Sequence, residues 1–195
     1  MNPLVSVVTT THNDAKFLEK ALQSLQNQTY ENFEHIVVDD GSTDEESLDT
    51  LNDHRLEHNF SLLTLSNCCG LPTARNKGIE VAKGTYILSL DCDDYISDNF
   101  IELCVGGIED TTKKVSPVYG NTQMWGELNN YLDNPEWDMS RLLSGPFIPA
   151  TALFSKSAWS EVGGYDTTLP LWEDYELWVS FAFKGYIGKL SLIHI

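Results

Sequence analysis

The residues best able to do chemistry are crowded into Asp91-Cys92-Asp93-Asp94, where the run Ile87-Leu88-Ser89-Leu90 stops abruptly. Thr85–Leu90 reads as a buried strand, short, apolar and closed by a polar cluster. Like charges ~4 Å apart repel by about 4 kcal/mol at an effective dielectric near 20, so acids stacked there call for a positive partner. Carboxylate oxygens suit a hard divalent cation, Mn²⁺ or Mg²⁺. The plainer alternative is a solvated turn, with Asp93 or Asp94 helping to start a helix near Ser97. For a D-x-D alone, that turn is the better reading. A second acidic group, Glu173, Asp174 and Glu176, opens the amphipathic segment Glu173–Phe183. Alone it reads as an acidic helix start.

These groups are positioned by alternating strands and helices. Leu4–Thr10 is a buried-type strand, and Asn13 or Asp14 is placed to cap the helix that shows Phe17, Leu18, Ala21, Leu22 and Leu25 on one face. Phe33–Val38 is a second strand, ending in Asp39-Asp40-Gly41-Ser42. Ser42 with Glu45, or Thr43 with Glu46, fits a capping box, and Leu48 and Leu51 give the following helix its inner face. Ser61–Leu65 is a third strand, Pro72–Val81 a helix closed by Gly84, Thr85–Leu90 the fourth strand, and Ser97–Val105 another helix. This alternation predicts an α/β fold, a mostly parallel sheet with helices on both faces. Ligands of such sheets bind outside the carboxyl ends of the strands, where Thr10, Asp40 and Asp91–Asp94 converge.

From about Val115 the pattern is less regular. This part holds all 5 Trp and several prolines, so only the run Pro149–Phe154 (a strand) and the helix Glu173–Phe183, with Leu177, Trp178 and Phe181 on one side, are legible. No repeat, low-complexity stretch or Gly/Ser linker divides the chain. The expectation is one domain over 1–195, with a half at 1–110 for one ligand and a half at 111–195 for another.

The 195 residues suffice for a core without staples, and the hydrophobic fraction of 42% is globular. A formal net charge of −17, with no Lys/Arg cluster, excludes nucleic acid as a natural partner. An acidic chain that takes a phosphorylated ligand needs a cation with it. The 4 cysteines form no C-x-x-C pair, and adjacent Cys68-Cys69 is poor disulfide geometry, so reduced thiols and a cytoplasmic protein are expected. No signal-peptide pattern or membrane-length apolar run is present. Peripheral association with the inner face of a membrane stays open, without a basic amphipathic helix to support it.

Taken in order, the tracts resemble the inverting family 2 glycosyltransferases with a GT-A fold. Val5-Ser6-Val7-Val8-Thr9-Thr10-Thr11-His12-Asn13 is similar to that family's opening strand, and Val37-Val38-Asp39-Asp40-Gly41-Ser42-Thr43-Asp44 to its nucleotide-contacting segment. Gly70-Leu71-Pro72-Thr73-Ala74-Arg75-Asn76-Lys77-Gly78 is similar to the Arg-Asn helix, and Asp91-Cys92-Asp93 to the D-x-D. Gly163-Gly164-Tyr165-Asp166 with Trp172-Glu173-Asp174-Tyr175-Glu176-Leu177-Trp178 is similar to the acceptor-side motif. Each motif alone is weak. Their order and spacing specify the superfamily and leave sugar and acceptor open.

The resemblance implies metal-dependent, inverting transfer from a nucleotide diphosphate sugar, UDP-linked, to a glycan or lipid-linked acceptor in surface polysaccharide synthesis. Asp93 would coordinate the metal, and Asp91 would support the metal or the ribose. Thr10 and Asp40 would hold base and ribose. Arg75 would lie near the nucleotide or the acids, with a structural ion pair as an equal alternative. Asp174 would be the general base, with Trp172 and Glu173 on the acceptor side. Asp39 has an alternative as a buried acceptor behind its loop, and Asp94 one as a helix starter. Trp125, Trp137 and Trp159 invite sugar stacking, though core packing is the ordinary reading. His12 and His35 read as structural. His194 lies where some relatives place a metal ligand, and a chain ending at Ile195 is shorter than many relatives.

Three other classes weigh less. A nucleotidyltransferase wants a Gly-rich basic loop after the first strand, and Thr9–Asn13 has neither Gly nor Lys. A non-catalytic nucleotide-sugar or carbohydrate-binding relative would keep Asp40 without needing Asp174. An aspartyl phosphatase would carry its D-x-D after the first strand, and here it follows the fourth.

Overall fold

The computed structural model describes residues 2–109, 113–126 and 128–194. Strand β1 (Val5–Thr11) is buried throughout and pairs in parallel with β2 (Phe33–Asp39), Val5 opposite Phe33 and Thr11 opposite Asp39. β2 continues in parallel to β3 (Ser61–Thr64), and β1 to β4 (Tyr86–Ser89). Helices α1 (Leu18–Gln26, preceded by a 3-10 turn at Ala15–Phe17), α2 (Glu45–His58) and α3 (Leu71–Val81) make the crossovers. Parallel strands joined this way end on the same side, so β1, β2 and β4 deliver Thr10, Asp40 and Asp91 to one rim.

The rest of the sheet is mixed. After α4 (Phe100–Glu109) come β5 (Val115–Met124), β6 (Asn130–Leu132), α5 (Met139–Leu142), β7 (Leu153–Ser155), α6 (Lys156–Val162), α7 (Glu173–Phe183) and β8 (Ile187–His194). The order is β3-β2-β1-β4-β7-β5-β6, with β8 also on β5. β7 runs antiparallel to β4 and β5, β6 antiparallel to β5, and β8 parallel to β5. The α/β class with helices on both faces holds, and the parallel portion is the β3-β2-β1-β4 half.

Period-2 alternation divides the core between the faces. Val5, Val7 and Leu88 pack with Leu18, Leu22 and Leu25 of α1 and Phe100, Ile101 and Cys104 of α4. Val8, Val38 and Ile87 pack with Ala74 and Ile79 of α3, Ala158 of α6, and Leu177, Trp178 and Phe181 of α7. Phe154, Trp178 and Phe181 meet at 5.6–5.9 Å between ring centroids, seating α7 on the sheet.

Several local expectations change. Phe17 and Leu48 are exposed, while Leu18 and Leu51 carry the burial. α2 is capped by Asp44, whose carboxylate accepts from the Ser47 N–H at 2.8 Å, and no Ser42 or Thr43 capping box forms. Asn13 caps nothing. At φ +58° it turns Oδ1 onto the Thr43 N–H at 2.8 Å, bracing the loop after β2. α4 starts at Phe100, beyond the Ser97 start the spacing suggests. All four cysteines are free thiols. No helix among the described residues is long and apolar enough to cross a membrane.

Candidate active site

The loop after β2 forms the first wall of the site. Asp40 is 4% exposed. One of its oxygens accepts from the Cys69 N–H at 2.8 Å, the other from the Gly70 N–H at 2.8 Å. The carboxylate therefore fastens the 66–70 loop just before α3. Gly41 has φ +69°, and a Cβ there would meet the Asn67 carbonyl carbon at 2.5 Å, so only glycine fits beneath that loop. Asp39 is buried and accepts from the Ser42 N–H at 2.9 Å, the alternative foreseen for it. His12 Nδ1 lies 2.8 Å from the Asp40 carbonyl oxygen, bracing the loop, and His35 is buried against Thr9 Oγ1 at 3.0 Å, away from both cavities described below.

Arg75 joins the two halves. It is 1% exposed and rises from α3 toward the end of β4. Nη2 donates to Asp91 Oδ1 at 2.7 Å and Oδ2 at 2.9 Å, and Nη1 donates to Glu173 Oε1 at 2.5 Å. Its guanidinium also lies 5.5 Å from the Tyr165 ring centroid. Burial opposes its charge, but Asp91, Tyr165 and Glu173 outweigh burial and hold its pKa above the ordinary value. The ion-pair role proposed as an alternative for Arg75 is thus present. Glu173, expected on the acceptor side, is instead 7% exposed and turned inward onto Arg75, because a buried carboxylate needs a charged partner.

Asp93 is exposed at the junction of two cavities. The first, about 250 Å³, is lined by Thr10, Thr11, His12, Asp40, Leu71, Asp91 and Asp93. The second, about 610 Å³, is lined by Lys16, Asp93, Asp94, Gln123, Trp125 and Thr151 among others. Asp94 does not start a helix. It accepts from Thr151 Oγ1 at 2.8 Å, and its pKa is pushed up to about 6 by burial, then by the charges of Asp91 and Asp93. Arg75 is committed to Asp91, so the cluster keeps excess negative charge beside exposed oxygen donors, a donor set that fits Mn²⁺ or Mg²⁺. Cys92 is no nucleophile, since burial pushes its thiol up to about 12.

Asp174 lies partly buried in the first turn of α7, and Trp172 is its 58% exposed N-cap. Trp172 has φ +71°, a conformation unusual for a bulky side chain, and its ring stands 6.3 Å from that of Tyr175. Burial raises the Asp174 pKa and the Tyr175 N–H partly offsets it, so at this helix start burial outweighs the dipole. Asp174 lines neither cavity; it reaches the acid cluster through Glu173, Arg75 and Asp91.

Thr10, Asp40, Asp91 and Asp93 are thus brought around one pocket, with Arg75 behind Asp91. The side chain of His194 lies outside the described residues. Asn76 is a site-building residue the sequence reading passed over. Its Oδ1 accepts from Trp159 Nε1 at 3.1 Å and from the Tyr165 N–H at 2.9 Å, and its Nδ2 donates to the Tyr165 carbonyl at 2.8 Å. It clasps the Gly163-Gly164-Tyr165 turn to α3, which also explains Trp159 as packing. Its place beside Arg75 was the available signal.

The family model described as Glycosyl transferase family 2 matches residues 6–157. A chondroitin synthase of Escherichia coli is 26% identical over 197 residues, covering 98% of this chain and 28% of that protein. Glycosyltransferase GlyG of Streptococcus pneumoniae is 37% identical over 131 residues, covering 65% of this chain and 42% of that protein. This chain therefore matches less than half the length of those curated relatives. Among solved structures, mannosyltransferase PcManGT of Pyrobaculum calidifontis, in complex with GDP-Man and Mn²⁺, superposes with TM-score 0.79 at 18% identity, covering 100% of this chain and 57% of that one. S. aureus TarS 1–349 in complex with UDP-GlcNAc gives TM-score 0.77 at 21% identity, covering 98% of this chain and 58% of that one. The fold is that of the GT-A transferases.

Proposed function

This chain belongs to glycosyl transferase family 2, and from that premise we propose that it transfers a sugar from a UDP-linked donor to an acceptor hydroxyl with inversion, in surface polysaccharide synthesis. The observation that carries the proposal is the sharing of Asp93 between the two cavities. One cavity is bounded by Thr10, Asp40 and Asp91, as a nucleotide needs, and the other opens toward Trp125 and Thr151, as a donor sugar and acceptor need. GDP-Man in one structural neighbour and UDP-GlcNAc in another support a nucleotide sugar as ligand.

Asp93, with Asp91 beside it, would hold Mn²⁺ or Mg²⁺, which supplies charge neutralisation of the leaving diphosphate. Thr10 and Asp40 bound the base and ribose. Arg75 acts on the nucleotide through Asp91, which it orients. Asp174 takes the proton of the acceptor hydroxyl, and burial suits it to this by making its carboxylate more basic. Trp172, exposed next to it, offers the acceptor an apolar face. Direct displacement, with Asp174 as its one base, needs no carboxylate nucleophile and inverts the anomeric carbon. Four free thiols support a reducing compartment, so the reaction belongs on the cytoplasmic side, at the inner face of the membrane when the acceptor is lipid-linked.

The test is turnover. UDP release from a panel of UDP-sugars with Mn²⁺ and candidate oligosaccharide acceptors is to be compared between the chain and Asp174→Asn, with the product anomer assigned by proton NMR. Acceptor-dependent release, an inverted anomer and loss in the variant support the reading. A retained anomer, or full activity in the variant, overturns it.

A further inference from the structure

A second cluster of ligating side chains lies between α1 and α2, built from residues given no role in the transfer above, although Glu19 also borders the second cavity. His54 and His58 stand one helical turn apart on α2, and Glu19 faces them from α1. Glu19 Oε2 is 3.2 Å from His54 Nδ1 and 3.5 Å from His58 Nε2, and the three ligating atoms all lie within 4.8 Å of one another. Zinc binds nitrogen and oxygen at about 2.0–2.1 Å, so tetrahedral ligand atoms stand about 3.3 Å apart. The two imidazole-to-carboxylate separations match that edge.

The pairs are not ordinary hydrogen bonds. His54 Nδ1 is buried and makes no hydrogen bond, although Glu19 Oε2 is near. A buried ring nitrogen aimed at a shared point, and not along a hydrogen bond, needs another partner. The outer groups fit a metal centre as well. Gln26 Nε2 is 2.8 Å from His58 Nδ1, the ring nitrogen left over when Nε2 ligates, and the same amide turned over would accept that N–H through its oxygen. Gln23 donates to the other oxygen of Glu19. Glu57 Oε2 lies farther out, 4.0 Å from His54 Nδ1 and 3.9 Å from His58 Nε2, and is not one of the three. Two imidazoles with carboxylate favour zinc-like transition metals over Mg²⁺.

We propose that Glu19, His54 and His58 form a transition-metal site that clips α1 to α2, separate from the acid cluster at the end of β4. The ion is structural: it ties the first crossover helix to the second.

The test is calorimetric titration of the chain with Zn²⁺ alone, without nucleotide, against His54→Gln, His58→Gln and Asp93→Ala. The site predicts one tight equivalent in the wild type and in Asp93→Ala, weakened about 100-fold or more in each histidine variant. At Zn²⁺ about a hundred times Kd, the Tm of the wild type rises by about 5–10 °C. That of His54→Gln does not move, and far-ultraviolet circular dichroism of both histidine variants stays native. Co²⁺ gives the wild type the visible bands of a low-coordinate nitrogen site, a readout that needs no variant. No tight Zn²⁺ uptake and no such bands overturn the proposal. So does uptake undiminished in both folded histidine variants, which places the ion on Cys68, Cys69 or the acid cluster.

Discussion

Arg75 and Glu173, 98 residues apart in the chain, meet at 2.5 Å inside the protein, and the same guanidinium grips Asp91 with its other nitrogen. One buried side chain thus fixes the relative position of the acid cluster and the helix start that carries Asp174. Removing it leaves two carboxylates without their partner. Arg75→Ala is expected to lose about 3–5 kcal/mol in urea denaturation. Arg75→Lys keeps the charge but lacks the planar fork that spans both acids. It loses less stability, and it weakens UDP binding through a misplaced Asp91. An Arg75→Lys protein with wild-type affinity for UDP in Mn²⁺ removes Arg75 from the positioning of the nucleotide.

Asp174 carries opposed demands. Its pKa is raised in the folded protein, so the fold favours the protonated form while the proposed reaction needs the anion. The stability it contributes is fully present below its unfolded pKa and is lost as pH rises through the folded value. Asp174→Asn should therefore melt higher than the wild type at pH 7, with the gain vanishing near pH 3. The same substitution should lower kcat by about 10²–10⁴ with little change in UDP affinity. The acid limb of the wild-type kcat profile should lie above that of an ordinary exposed carboxylate. Melting curves at the two pH values and steady-state kinetics check these together.

Asp40 acts through its loop. Both oxygens accept backbone N–H groups, so Asp40→Asn replaces one acceptor with a donor and strands an N–H. The expected cost is about 1–3 kcal/mol, with weaker nucleotide binding because the 66–70 loop shifts. Gly41→Ala should mimic it by steric conflict at Asn67. Denaturant midpoints and UDP affinity measured on both variants should fall together.

The half from β1 to β4 was legible because parallel strands announce themselves. Val5–Thr11 is buried throughout and Phe33–Asp39 from His35 onward, each around a short apolar stretch (Val7-Val8, Ile36-Val37-Val38), and each is followed by a helix. The half from β5 onward was not. β5 reads Val-Ser-Pro-Val-Tyr-Gly-Asn-Thr-Gln-Met, which has no apolar run, and its strand character comes from pairing with β7, β8 and β6. The Pro149–Phe154 strand shrank to Leu153–Ser155 for a similar reason, since only that end meets β4. At the site, strand-end acids could be placed from the sequence, but the inward turn of Glu173 could not. An acidic first turn looks the same whether its carboxylate meets solvent or a buried arginine from α3.

His35 predicts a pH dependence unrelated to catalysis. Burial, then the nearby His58, lower its pKa to about 3. The unfolded chain takes up this proton below about pH 6.5 and the folded chain does not, so stability falls as pH drops through that window. Between pH 7 and pH 5 the wild type should lose about 1–2 kcal/mol more than His35→Gln, which keeps a hydrogen-bonding group near Thr9. Urea titrations at the two pH values measure the difference. Equal slopes would mean that His35 titrates in the fold as it does in the unfolded chain, and would contradict the prediction.

The central assignment, a nucleotide pocket with a metal at Asp93, is tested most directly by calorimetry of UDP, GDP and dTDP with and without Mn²⁺, on the chain and on Asp93→Ala. The predicted result is UDP binding that Mn²⁺ strengthens by about tenfold or more in the wild type and leaves unchanged in the variant. No binding of any nucleotide, or a Mn²⁺ effect that survives in Asp93→Ala, would contradict it.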